Sequence, residues 1–438
     1  MSELLEKIRR REATVVVVGL GYVGLPLACA LATAGYRVLG VDLVRDKVEG
    51  INAGRSHIED VPSEMVKDLV AAGRLEATDE YAKARQADVA IIAVPTPVDE
   101  HQVPDLSFIR SATRGLSEVM HKGTLVVVES TTYPDATEEI VVADFRDHGF
   151  TPGLDVFIGF SPERIDPRNE KWNVTNTPKL VIGLTQSCLE LALALYSNIV
   201  DTLVPVSNIR TAEMAKLFEN VFRNVNIALV NELRVICDQF DVDVWEVIAA
   251  CATKPYGFMP FYPGPGVGGH CIPVDPFYLS WKADQRSIDT DFIDLAARIN
   301  GAVPGYIVQN AARLLAANGR TLRGARVGLL GVAYKKNTSD VRETPATHIV
   351  QLLMEEGAAV SYFDPHVPTF SVSERTLVSA PALASFLSEQ DCIIVAADHD
   401  AIDWTLVLRF APIVVDTRNA IGRLKPPGVR QGVGRSGD

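Results

Sequence analysis

Short apolar runs alternate with stretches of helical spacing over the first part of the chain. Residues 14–19, 36–42, 89–94 and 125–129 predict four strands, and residues 24–34 predict a helix directly after the first of them. A continuous apolar run indicates a strand that is covered on both faces. Strands that alternate with helices predict a doubly wound, parallel sheet.

A much longer helix is predicted next. Apolar residues recur at helical spacing from residue 211 to residue 240, and neither Gly nor Pro interrupts them. At ~1.5 Å per residue such a helix is about 45 Å long, which exceeds the diameter of one domain. Helices of this length connect domains or form subunit interfaces, so we predict a homodimer assembled through this helix.

The first pattern returns near the end of the chain. Residues 325–331 and 358–364 predict two strands, the second of which ends in an acid, and residues 345–356 predict a helix between them. Residues 392–396 and 413–416 are two further candidate strands. We therefore expect a second sheet of the nucleotide-binding type.

Together these patterns predict an α/β fold in which two Rossmann-like, doubly wound domains are joined by a long central helix. We place an N-terminal Rossmann domain at residues 1–207, a central helical domain at residues 208–303 and a C-terminal Rossmann-like domain at residues 304–438. The tail after Leu424 is rich in Gly, Pro and Arg, and we expect it to be disordered.

The charge balance excludes some classes of partner. Lys and Arg total 42 against 55 Asp and Glu, so the 438 residues carry a formal net charge of −13. Because such a chain repels phosphate, we expect neither nucleic acid nor a membrane surface as a partner. A local cationic pocket for a phosphate-bearing metabolite is compatible with this charge.

Two further features concern location and redox state. No apolar run reaches the ~18–20 residues that span a bilayer, and the charged N-terminus lacks the apolar middle of a signal peptide. The six cysteines are scattered and include no CxxC pair. We therefore expect a reduced, cytoplasmic protein with no metal site.

A glycine pattern separates the first predicted strand from its helix. Gly19, Gly21 and Gly24 form GxGxxG, in which the first glycine permits a tight turn, the second lets the backbone approach a pyrophosphate and the third allows close helix–strand packing. Free N–H groups at the start of the helix attract phosphate. Asp42 ends the second predicted strand, where a carboxylate binds a ribose and repels a 2′-phosphate. The pattern predicts a dinucleotide site that prefers NAD to NADP.

A loop rich in glycine and proline surrounds one cysteine. Residues 262–275 read YPGPGVGGHCIPVD, a composition that allows close backbone approach to a ligand. We predict that Cys271, in this loop, is a nucleophile, and Asp275 follows it. Cysteines are otherwise mostly buried and inert, and we expect this of the other five, Cys29, Cys188, Cys237, Cys251 and Cys392.

Polar groups elsewhere also suit a ligand. Lys216 and Asn220 lie four residues apart in the predicted long helix and so share a face, where they can stabilise an oxyanion, although most helix-surface lysines are simply solvated. ESTTYP (129–134) and FSPER (160–164) follow predicted strands at the edge where such sheets bind ligands. Their side chains suit a sugar or a phosphate, and their spacing does not say which.

These motifs together resemble the nucleotide-sugar 6-dehydrogenase family, which includes UDP-glucose and UDP-N-acetylhexosamine dehydrogenases. GGHC together with AKLFEN is the specific part of the pattern. The resemblance covers nearly the whole chain in the family's order, through VVVVGLGYVGLPLA (15–28), AVPTP (93–97), ESTTYP, FSPER, EMAKLFENVFRNVNIALVNE (213–232), GPGVGGHCIPVDP (264–276), GVAYKKNTSDVRETPA (331–346) and DTRN (416–419).

The resemblance implies an NAD-dependent oxidoreductase that oxidises a sugar C6 hydroxyl by four electrons. Loss of one hydride to NAD gives an aldehyde, which the Cys271 thiolate attacks to form a thiohemiacetal. Loss of a second hydride gives a thioester, which water hydrolyses to the uronate. A nucleophile is needed because an aldehyde has no second hydride to give until something adds to its carbonyl.

Matching positions imply the site residues. The catalytic residues would be Cys271, Lys216, Asn220, Asp275, Thr132 and Glu163. Lysine would stabilise developing negative charge, asparagine would orient the C6 oxygen, aspartate would assist proton transfer, and threonine and glutamate would position water.

The NAD site would comprise Gly19, Gly21, Tyr22, Val23, Gly24, Asp42, Lys47, Pro95, Thr96, Thr132 and Arg342. A UDP-sugar would be bound by residues of all three domains, namely Glu163, Arg164, Ile165, Lys216, Asn220, Tyr262, Gly264, Gly268, His270, Tyr334, Lys335 and Arg418.

Two departures narrow the expected substrate. UDP-glucose enzymes carry a second glutamate shortly after the position of Glu163, but here the next residues read RIDP. His270 precedes the nucleophile where those enzymes have Ser or Tyr, and it is either a ligand contact or a loop residue. SPER with GGHC resembles the N-acetylhexosamine branch. We expect oxidation of UDP-N-acetylglucosamine for a surface polysaccharide, with UDP-N-acetylmannosamine and UDP-glucose as alternatives.

Proteins of two other classes share parts of this pattern. A non-catalytic NAD-binding sensor would be expected to have lost the nucleophile or its helper groups, which are all present here. A two-electron 3-hydroxyacid dehydrogenase has a Rossmann domain and a long helix but needs neither a cysteine loop nor a second Rossmann-like domain. The NADH yield distinguishes the two kinds of enzyme, because a 3-hydroxyacid dehydrogenase produces one NADH per substrate and a nucleotide-sugar 6-dehydrogenase produces two.

Overall fold

The structure is a computed structural model that describes residues 1–99, 101–166, 169 and 171–424. The chain divides into two compact units. The first unit comprises Met1–Glu219 and Phe277–Ile288, and the second comprises Asn220–Pro276 and the chain from Asp289 onward. The tail after Leu424, for which we expect disorder, lies outside the described residues.

An eight-stranded sheet forms the centre of the first unit. Its strands are β1 (Thr14–Val18), β2 (Arg37–Val41), β3 (Leu75–Thr78), β4 (Val89–Ile92), β5 (Thr124–Val128), β6 (Val156–Phe160), β7 (Lys179–Gly183) and β8 (Leu203–Pro205). They lie in the order β3-β2-β1-β4-β5-β6-β7-β8, and only the pair β6–β7 is antiparallel among these described strands. The first six strands have the Rossmann order, which reverses between β1 and β4, and ligands bind at such a reversal.

Helices connect these strands, as the alternating pattern predicts. They are α1 (Ser2–Arg10), α2 (Gly24–Thr33), α3 (Arg45–Asn52), α4 (Ser63–Ala71), α5 (Ser107–Ser117), α6 (Ala143–Asp147) and α7 (Gln186–Tyr196), with a 3₁₀ helix at Tyr81–Gln86 and a π-helical turn at Thr137–Val142. The interior strands β4, β5 and β6 are buried along their whole length, as expected of strands that are covered on both faces.

The predicted long helix is confirmed. Helix α8 (Ile209–Gln239) has 31 residues, begins in the first unit and ends in the second. The remaining helices are α9 (Val244–Ala252), α10 (Asp275–Asp284), α11 (Asp291–Ala317), α12 (Pro345–Glu355), α13 (Leu383–Glu389) and α14 (Trp404–Phe410), and a 3₁₀ turn lies at Gly422–Leu424.

Two stripes of side chains run along α8. The buried polar stripe has residues at spacings of three, four or seven and consists of Glu213, Lys216, Asn220, Asn224, Asn231 and Arg234. The exposed apolar stripe has spacings of four or seven and consists of Met214, Phe218, Phe222, Leu229 and Ile236. Each set of spacings keeps its residues on one helix face. A helix at a protein surface normally has the opposite arrangement, with apolar residues inside and polar residues outside.

A second Rossmann-like sheet, also predicted, lies in the second unit. Its strands are β9 (Arg326–Leu330), β10 (Ala359–Phe363), β13 (Cys392–Val395) and β14 (Val414–Asp416), while β11 (Thr369–Val372) and β12 (Arg375–Val378) form an antiparallel hairpin that the sequence pattern did not predict. The four strands are parallel, in the order β10-β9-β13-β14. Alternate residues of β13 enter different apolar clusters, so the sheet is covered on both faces.

The two sheets share the turn that follows their first strand. Gly19 and Gly331 follow β1 and β9, with φ angles of +90° and +74°. Asp42 and Asp364 follow the neighbouring strands β2 and β10, and each accepts the N–H of the residue after the corresponding glycine, at 2.9 and 2.7 Å. The echo between the two ends of the sequence is therefore a shared hydrogen-bonding arrangement. None of the helices in the described residues is both long and apolar enough to span a bilayer.

Candidate active site

The GxGxxG glycines form the turn between β1 and α2. A Cβ on Gly19 would lie 2.5 Å from the carbonyl oxygen of Ala93, and one on Gly24 would lie 1.7 Å from that of Gly19. Both positions therefore require glycine. At Gly21 no described atom lies within 4 Å of the Cβ position. The turn is tightly packed at its ends and open at its middle glycine, which fits the approach of a dinucleotide pyrophosphate.

Asp42 is fixed at the end of β2. Its Oδ2 accepts the N–H of Leu20 (2.9 Å) and lies 3.3 Å from Lys47 Nζ, while its Oδ1 accepts the N–H of Val44 (3.0 Å). A carboxylate has about four acceptor positions, so Oδ1 keeps capacity for a ribose hydroxyl. The structure thus places the sequence-predicted Lys47 against Asp42.

The other sequence-predicted cofactor residues of the first unit lie in loops at the carboxyl edge of the sheet. Tyr22 and Val23 precede α2, while Pro95 and Thr96 follow β4. The hydroxyl of Ser130 donates to a carbonyl in the loop after β4 across 2.8 Å. This bond joins that loop to the loop after β5, which carries the next group of site residues.

A buried carboxylate holds the loop that contains Thr132. Glu213 Oε1 accepts hydrogen bonds from the Thr132 hydroxyl (3.2 Å) and from the N–H and hydroxyl of Thr137 (2.9 and 2.7 Å). Its Oε2 accepts the N–H of Asp135 at 2.8 Å. Burial raises the pKa of the Glu213 carboxyl, and these hydrogen bonds oppose that rise. Four donors on one carboxylate fix the position of the Thr132 side chain.

Glu163 follows β6 and is held from two sides. Its Oε1 accepts the N–H groups of Arg164 (2.6 Å) and Ile165 (2.7 Å), and its Oε2 lies 3.4 Å from Lys179 Nζ. The Arg164 guanidinium pairs with Glu219 at 2.7 Å. The two backbone contacts of Glu163 leave its carboxylate in a defined orientation.

Lys179 is shared between Glu163 and a second carboxylate. Its Nζ lies 3.1 Å from Glu129 Oε2, and the hydroxyl of Tyr196 donates to Glu129 Oε1 at 2.5 Å. Glu129 is 1% exposed. Burial raises the pKa of Glu129 to about 7, against the attraction of Lys179 and together with the repulsion of Glu163. One lysine thus serves two carboxyl groups, one of which binds a proton readily near neutral pH.

In the second unit, Cys271 lies in a turn directly before α10. The carbonyl of Cys271 accepts the N–H groups of Val274 (3.1 Å) and Asp275 (2.8 Å). Asn220 Nδ2 donates to Asp275 Oδ2 at 2.5 Å. The cysteine is partly exposed, whereas Asp275 and Asn220 are buried. The structure therefore brings together three of the sequence-predicted catalytic residues.

Lys216 lies four residues before Asn220 in the buried polar stripe. It is 8% exposed. No hydrogen-bonding or ion-pairing partner of its ammonium is present among the described residues. A buried cation without a fixed counter-charge is suited to stabilise negative charge that develops on a substrate oxygen.

A network of asparagines positions the start of the loop at residues 262–275. The N–H of Gly264 donates to Asn231 Oδ1 at 3.0 Å, and Asn231 donates in turn to Asn300 at 3.0 Å. Asn300 donates to Asn224 Oδ1 at 2.8 Å. A Cβ on Gly264 would lie 2.8 Å from Arg418 Nη1, so glycine allows the loop to contact that guanidinium.

The end of the same loop packs against the segment after β9. A Cβ on Gly268 would lie 2.8 Å from Tyr334 Cβ, and Lys335 is the next residue of that segment. Arg342 Nη2 donates to His270 Nδ1 at 3.3 Å and to Asp340 at 2.6 Å. Since a guanidinium only donates, Nδ1 of His270 is the acceptor in this contact. His270 is therefore a contact of the C-terminal segment.

Tyr262 begins the loop and is 55% exposed. Its ring stacks on Trp245 of α9, with the ring centroids 5.8 Å apart and the planes 15° from parallel. An exposed aromatic ring that is held on one face can offer the other face to a ligand.

Comparison with known proteins places the chain in a family. Residues 13–200, 210–302 and 328–423 match the NAD binding domain, the central domain and the UDP binding domain of the UDP-glucose/GDP-mannose dehydrogenase family. A UDP-N-acetyl-D-glucosamine 6-dehydrogenase of Pseudomonas aeruginosa is 36% identical over 394 residues, 89% of this chain and 91% of that protein. An NDP-N-acetyl-D-galactosaminuronic acid dehydrogenase of Ralstonia nicotianae is 36% identical over 415 residues, 92% of this chain and 95% of that protein. The chain belongs to the UDP-glucose/GDP-mannose dehydrogenase family.

A solved structure supports the same assignment. The UDP-D-ManNAc dehydrogenase of Pyrococcus horikoshii superposes with a TM-score of 0.86 at 32% identity, covering 95% of this chain and 97% of that one. Like other members of the dehydrogenase family, the protein is an NAD-dependent oxidoreductase that acts on a nucleotide sugar. The expected family, fold class and cofactor are therefore confirmed.

One expectation about the cysteines of this dehydrogenase is wrong. Cys29, Cys188, Cys237 and Cys392 are buried, but Cys251 is exposed. Val244 and Ile248 pack against Cys237 in a small cluster, and Cys251 lies in the last turn of the short helix α9, beyond this cluster. Among the cysteines, all of which lie in the described residues, Cys251 and Cys271 are therefore the two that are not buried.

Sequence reasoning missed several residues that position the site. Glu213, Lys179, Asn224 and Asn231 are buried polar groups that contact site residues or loops. A signal for most of them was present in the sequence, because they belong to the buried polar stripe and recur with Lys216 at helical spacing. Lys179 gives no such signal, since it begins an apolar strand. No group of His, Cys, Asp and Glu suited to a metal ion occurs in the described residues.

Proposed function

We propose that this dehydrogenase oxidises C6 of UDP-N-acetylglucosamine to the carboxylate in two steps, producing a uronate for a surface polysaccharide. The observation that carries the proposal is the hydrogen bond between Asn220 and Asp275 at the turn of Cys271. A cysteine with a buried carboxylate and a buried amide beside it suits covalent catalysis at a carbonyl carbon. A two-electron alcohol dehydrogenase needs no such group.

The residues would divide the chemistry as follows. The Cys271 thiolate adds to the C6 aldehyde, forming a C–S bond and an alkoxide that takes a proton. Lys216 and Asn220 stabilise the oxygen at C6 while it carries negative charge. Asp275 transfers protons through water, and Glu163 and Thr132 position the water that hydrolyses the thioester. NAD, when bound, accepts one hydride from C6 in each of the two oxidations.

The remaining assignments divide the chain among its ligands. Residues 1–207 bind NAD through the turn after β1 and the loops after β4 and β5. Residues 208–303 supply the nucleophile, and residues 304–438 bind the UDP-sugar together with the loop at residues 262–275. The enzyme would act in the cytoplasm, where nucleotide sugars are made.

A yield measurement tests the reaction. The purified protein is incubated with excess NAD and a limiting amount of UDP-N-acetylglucosamine, UDP-N-acetylmannosamine, UDP-N-acetylgalactosamine or UDP-glucose. We expect the highest kcat/KM with UDP-N-acetylglucosamine and two NADH per molecule of substrate. A yield of one NADH would contradict the covalent mechanism. Turnover with UDP-glucose alone would contradict the assignment to the N-acetylhexosamine branch. The assay also decides between the sugars of that branch, because the relatives include enzymes named for N-acetylglucosamine and for N-acetylmannosamine.

We also propose that the enzyme is a homodimer in which a second copy covers the exposed apolar stripe of α8. Phe218 and Leu229 are 61% and 58% exposed although they lie in the middle of a helix of 31 residues. A row of large apolar side chains in water is unfavourable, and exposed apolar residues that share one helix face mark an interface. A second copy provides the same stripe, which is self-complementary in a two-fold interface.

A further inference from the structure

Arg234 is the last member of the buried polar stripe of α8 and has an unsatisfied donor. It is 9% exposed. Its Nη2 donates to the backbone carbonyl of Asp416 at 3.4 Å, whereas its Nη1 is buried with no hydrogen-bond partner among the described residues. A buried guanidinium N–H without an acceptor costs free energy, so a partner that is absent from the chain itself is expected.

No carboxylate of the described residues neutralises this charge. The carboxylate of Asp416 accepts three backbone N–H groups of the turn that follows β14, at 2.9 to 3.1 Å. Asp398 is paired with Arg423 at 2.9 Å. Asp238, one turn further along α8, accepts the hydroxyl of Tyr306. The nearby acids are therefore already used, and none of them forms an ion pair with Arg234.

A second guanidinium, that of Arg418, belongs to the turn after β14 that Arg234 contacts. Arg418 follows Asp416 by two residues, is only partly exposed, and donates from Nε to the carbonyl of Ala396 at 3.1 Å. Burial lowers the pKa of Arg418, and the positive charges of Arg423 and Arg234 lower it further, although Asp398 and Asp416 act in the opposite direction. Two cations that repel one another in a desolvated place are stabilised by an anion between them.

The position of this pair in the fold is that of a ligand site. Ala396 and Asp416 lie at the carboxyl ends of β13 and β14, the edge at which parallel sheets bind their ligands. The planar fork of a guanidinium matches two phosphate oxygens. A diphosphate offers several such oxygens and about two negative charges, which is enough for both arginines.

We infer that Arg234 binds the diphosphate of the nucleotide sugar together with Arg418, so that α8 supplies a substrate-binding residue in addition to its catalytic residues. This inference rests on the proposed function for the identity of the nucleotide. The segment that matches the UDP binding domain comprises residues 328–423. Of the two arginines it contains Arg418 but not Arg234, so the inference adds a substrate-binding residue outside that domain. The ligand chemistry recognised by Arg234 is the phosphate group, not the base or the sugar.

Binding measurements on the full-length protein test this role. Arg234→Met keeps most of the side-chain volume and removes the charge, and Arg234→Lys keeps the charge but not the fork. Arg313→Met, at an exposed arginine of α11 in the same unit, is the matched control. Isothermal titration calorimetry is carried out with UDP, uridine and inorganic pyrophosphate, and far-ultraviolet circular dichroism with a urea titration establishes that each variant is folded.

We expect Arg234→Met to weaken UDP and pyrophosphate binding about ten- to hundredfold, the scale of a lost hydrogen bond to a charged group, and to leave uridine binding unchanged. Arg234→Lys should lie between this variant and the wild type. In steady state, KM for the nucleotide sugar should rise in Arg234→Met while KM for NAD stays constant. Unchanged UDP affinity in folded Arg234→Met would overturn the inference, and so would an equal loss of UDP and uridine binding, which indicates a structural role.

The result is separable from that of the proposed function. If the wild type oxidises a UDP-sugar but Arg234→Met binds UDP normally, the reaction assignment stands and the role of Arg234 fails. If the wild type oxidises no nucleotide sugar but its pyrophosphate binding depends on Arg234, the anion site stands and the reaction assignment fails. Should Arg234→Met be unfolded, the comparison of Arg234→Lys with the wild type decides, because loss of the fork alone must reduce UDP affinity more than uridine affinity.

Discussion

The side-chain amide of Asn220 donates a hydrogen bond to a carboxylate oxygen of Asp275 across 2.5 Å. Both side chains are buried, and the backbone N–H of Asp275 is bonded to the carbonyl of Cys271. The polar stripe of α8 is thereby connected, through one side-chain bond, to the turn that contains Cys271. A charge-assisted bond of this length in a buried place fixes both groups.

Replacing Asp275 by Asn is therefore expected to lower kcat about a hundredfold or more, with a smaller change in KM. The variant loses the carboxylate that we propose transfers protons, and it places a second amide opposite the Asn220 amide. The measurement is steady-state NADH production with UDP-N-acetylglucosamine. Asp284→Asn, at the exposed end of the same helix α10, is the control and should retain normal activity. A kcat of Asp275→Asn close to that of the wild type would show that the carboxylate has no part in the chemistry.

The two cysteines that are not buried, Cys251 and Cys271, allow a direct test of covalent catalysis. Cys271→Ala is expected to abolish steady NADH production while UDP and NAD binding persist, because the second oxidation requires a thiohemiacetal. Cys251→Ala removes the exposed thiol of α9 and should leave activity unchanged. Turnover by Cys271→Ala at the rate of the wild type would refute the proposed mechanism. Iodoacetamide should label both cysteines in the free enzyme, and bound substrate should protect Cys271 alone.

The site residues that sequence reasoning found are those whose type is unusual for their position. The glycines of the turn after β1 could be predicted because steric exclusion at Gly19 and Gly24 leaves no alternative residue. Cys271 could be predicted from its glycine-rich setting. Glu213 recurs with Lys216 at helical spacing, but its role depends on which N–H groups the loop after β5 directs at it, and that spacing does not encode these contacts.

Glu213→Gln tests whether that carboxylate positions Thr132 for the cofactor. The substituted amide would oppose an N–H donor of Thr137 or Asp135, since glutamine has one acceptor oxygen where glutamate has two. We expect KM for NAD to rise about tenfold and stability to fall by about 1–3 kcal/mol, the scale of an unsatisfied buried donor. KM for the nucleotide sugar should change less than KM for NAD. Equal changes in the two constants would indicate a general structural defect.

The cluster of Glu129, Lys179 and Tyr196 should make stability depend on pH. The pKa of Glu129 is raised from 4.5 to about 7 in the native protein, chiefly by burial. The native state therefore binds more protons than the unfolded state between about pH 4.5 and 7, and the contribution of Glu129 to stability is lost as the pH rises through this window.

Glu129→Gln mimics the protonated side chain and cannot titrate. Relative to the wild type, its Tm should therefore improve as the pH is raised from 5 to 8, as measured by differential scanning calorimetry. Glu190→Gln, at an exposed position of α7, should show no such trend. A Tm difference between Glu129→Gln and wild type that is the same at both pH values would contradict the raised pKa.

The fold was more accessible to sequence reasoning than the site because its strands are continuous apolar runs. Periodicity predicted the ends of α8 within a few residues, and it predicted both Rossmann-like sheets. It did not predict that α8 carries an exposed apolar stripe, because apolar spacing alone does not say which face of a helix is covered. The exposed apolar stripe can be identified only when the burial of each residue is known. A substitution within it is the most direct test of the predicted dimer interface.

Leu229→Glu places a charge in the middle of this stripe, where Leu229 is 58% exposed and separated from its nearest stripe neighbours by seven residues on each side. In a dimer this position is desolvated, and an unpaired carboxylate there is strongly unfavourable. We expect the variant to be monomeric, or to dimerise at least about tenfold more weakly, in analytical ultracentrifugation. Leu154→Glu, at an exposed leucine of a loop in the first unit, should sediment as the wild type does. A folded Leu229→Glu protein that remains fully dimeric would exclude the exposed apolar stripe as the interface.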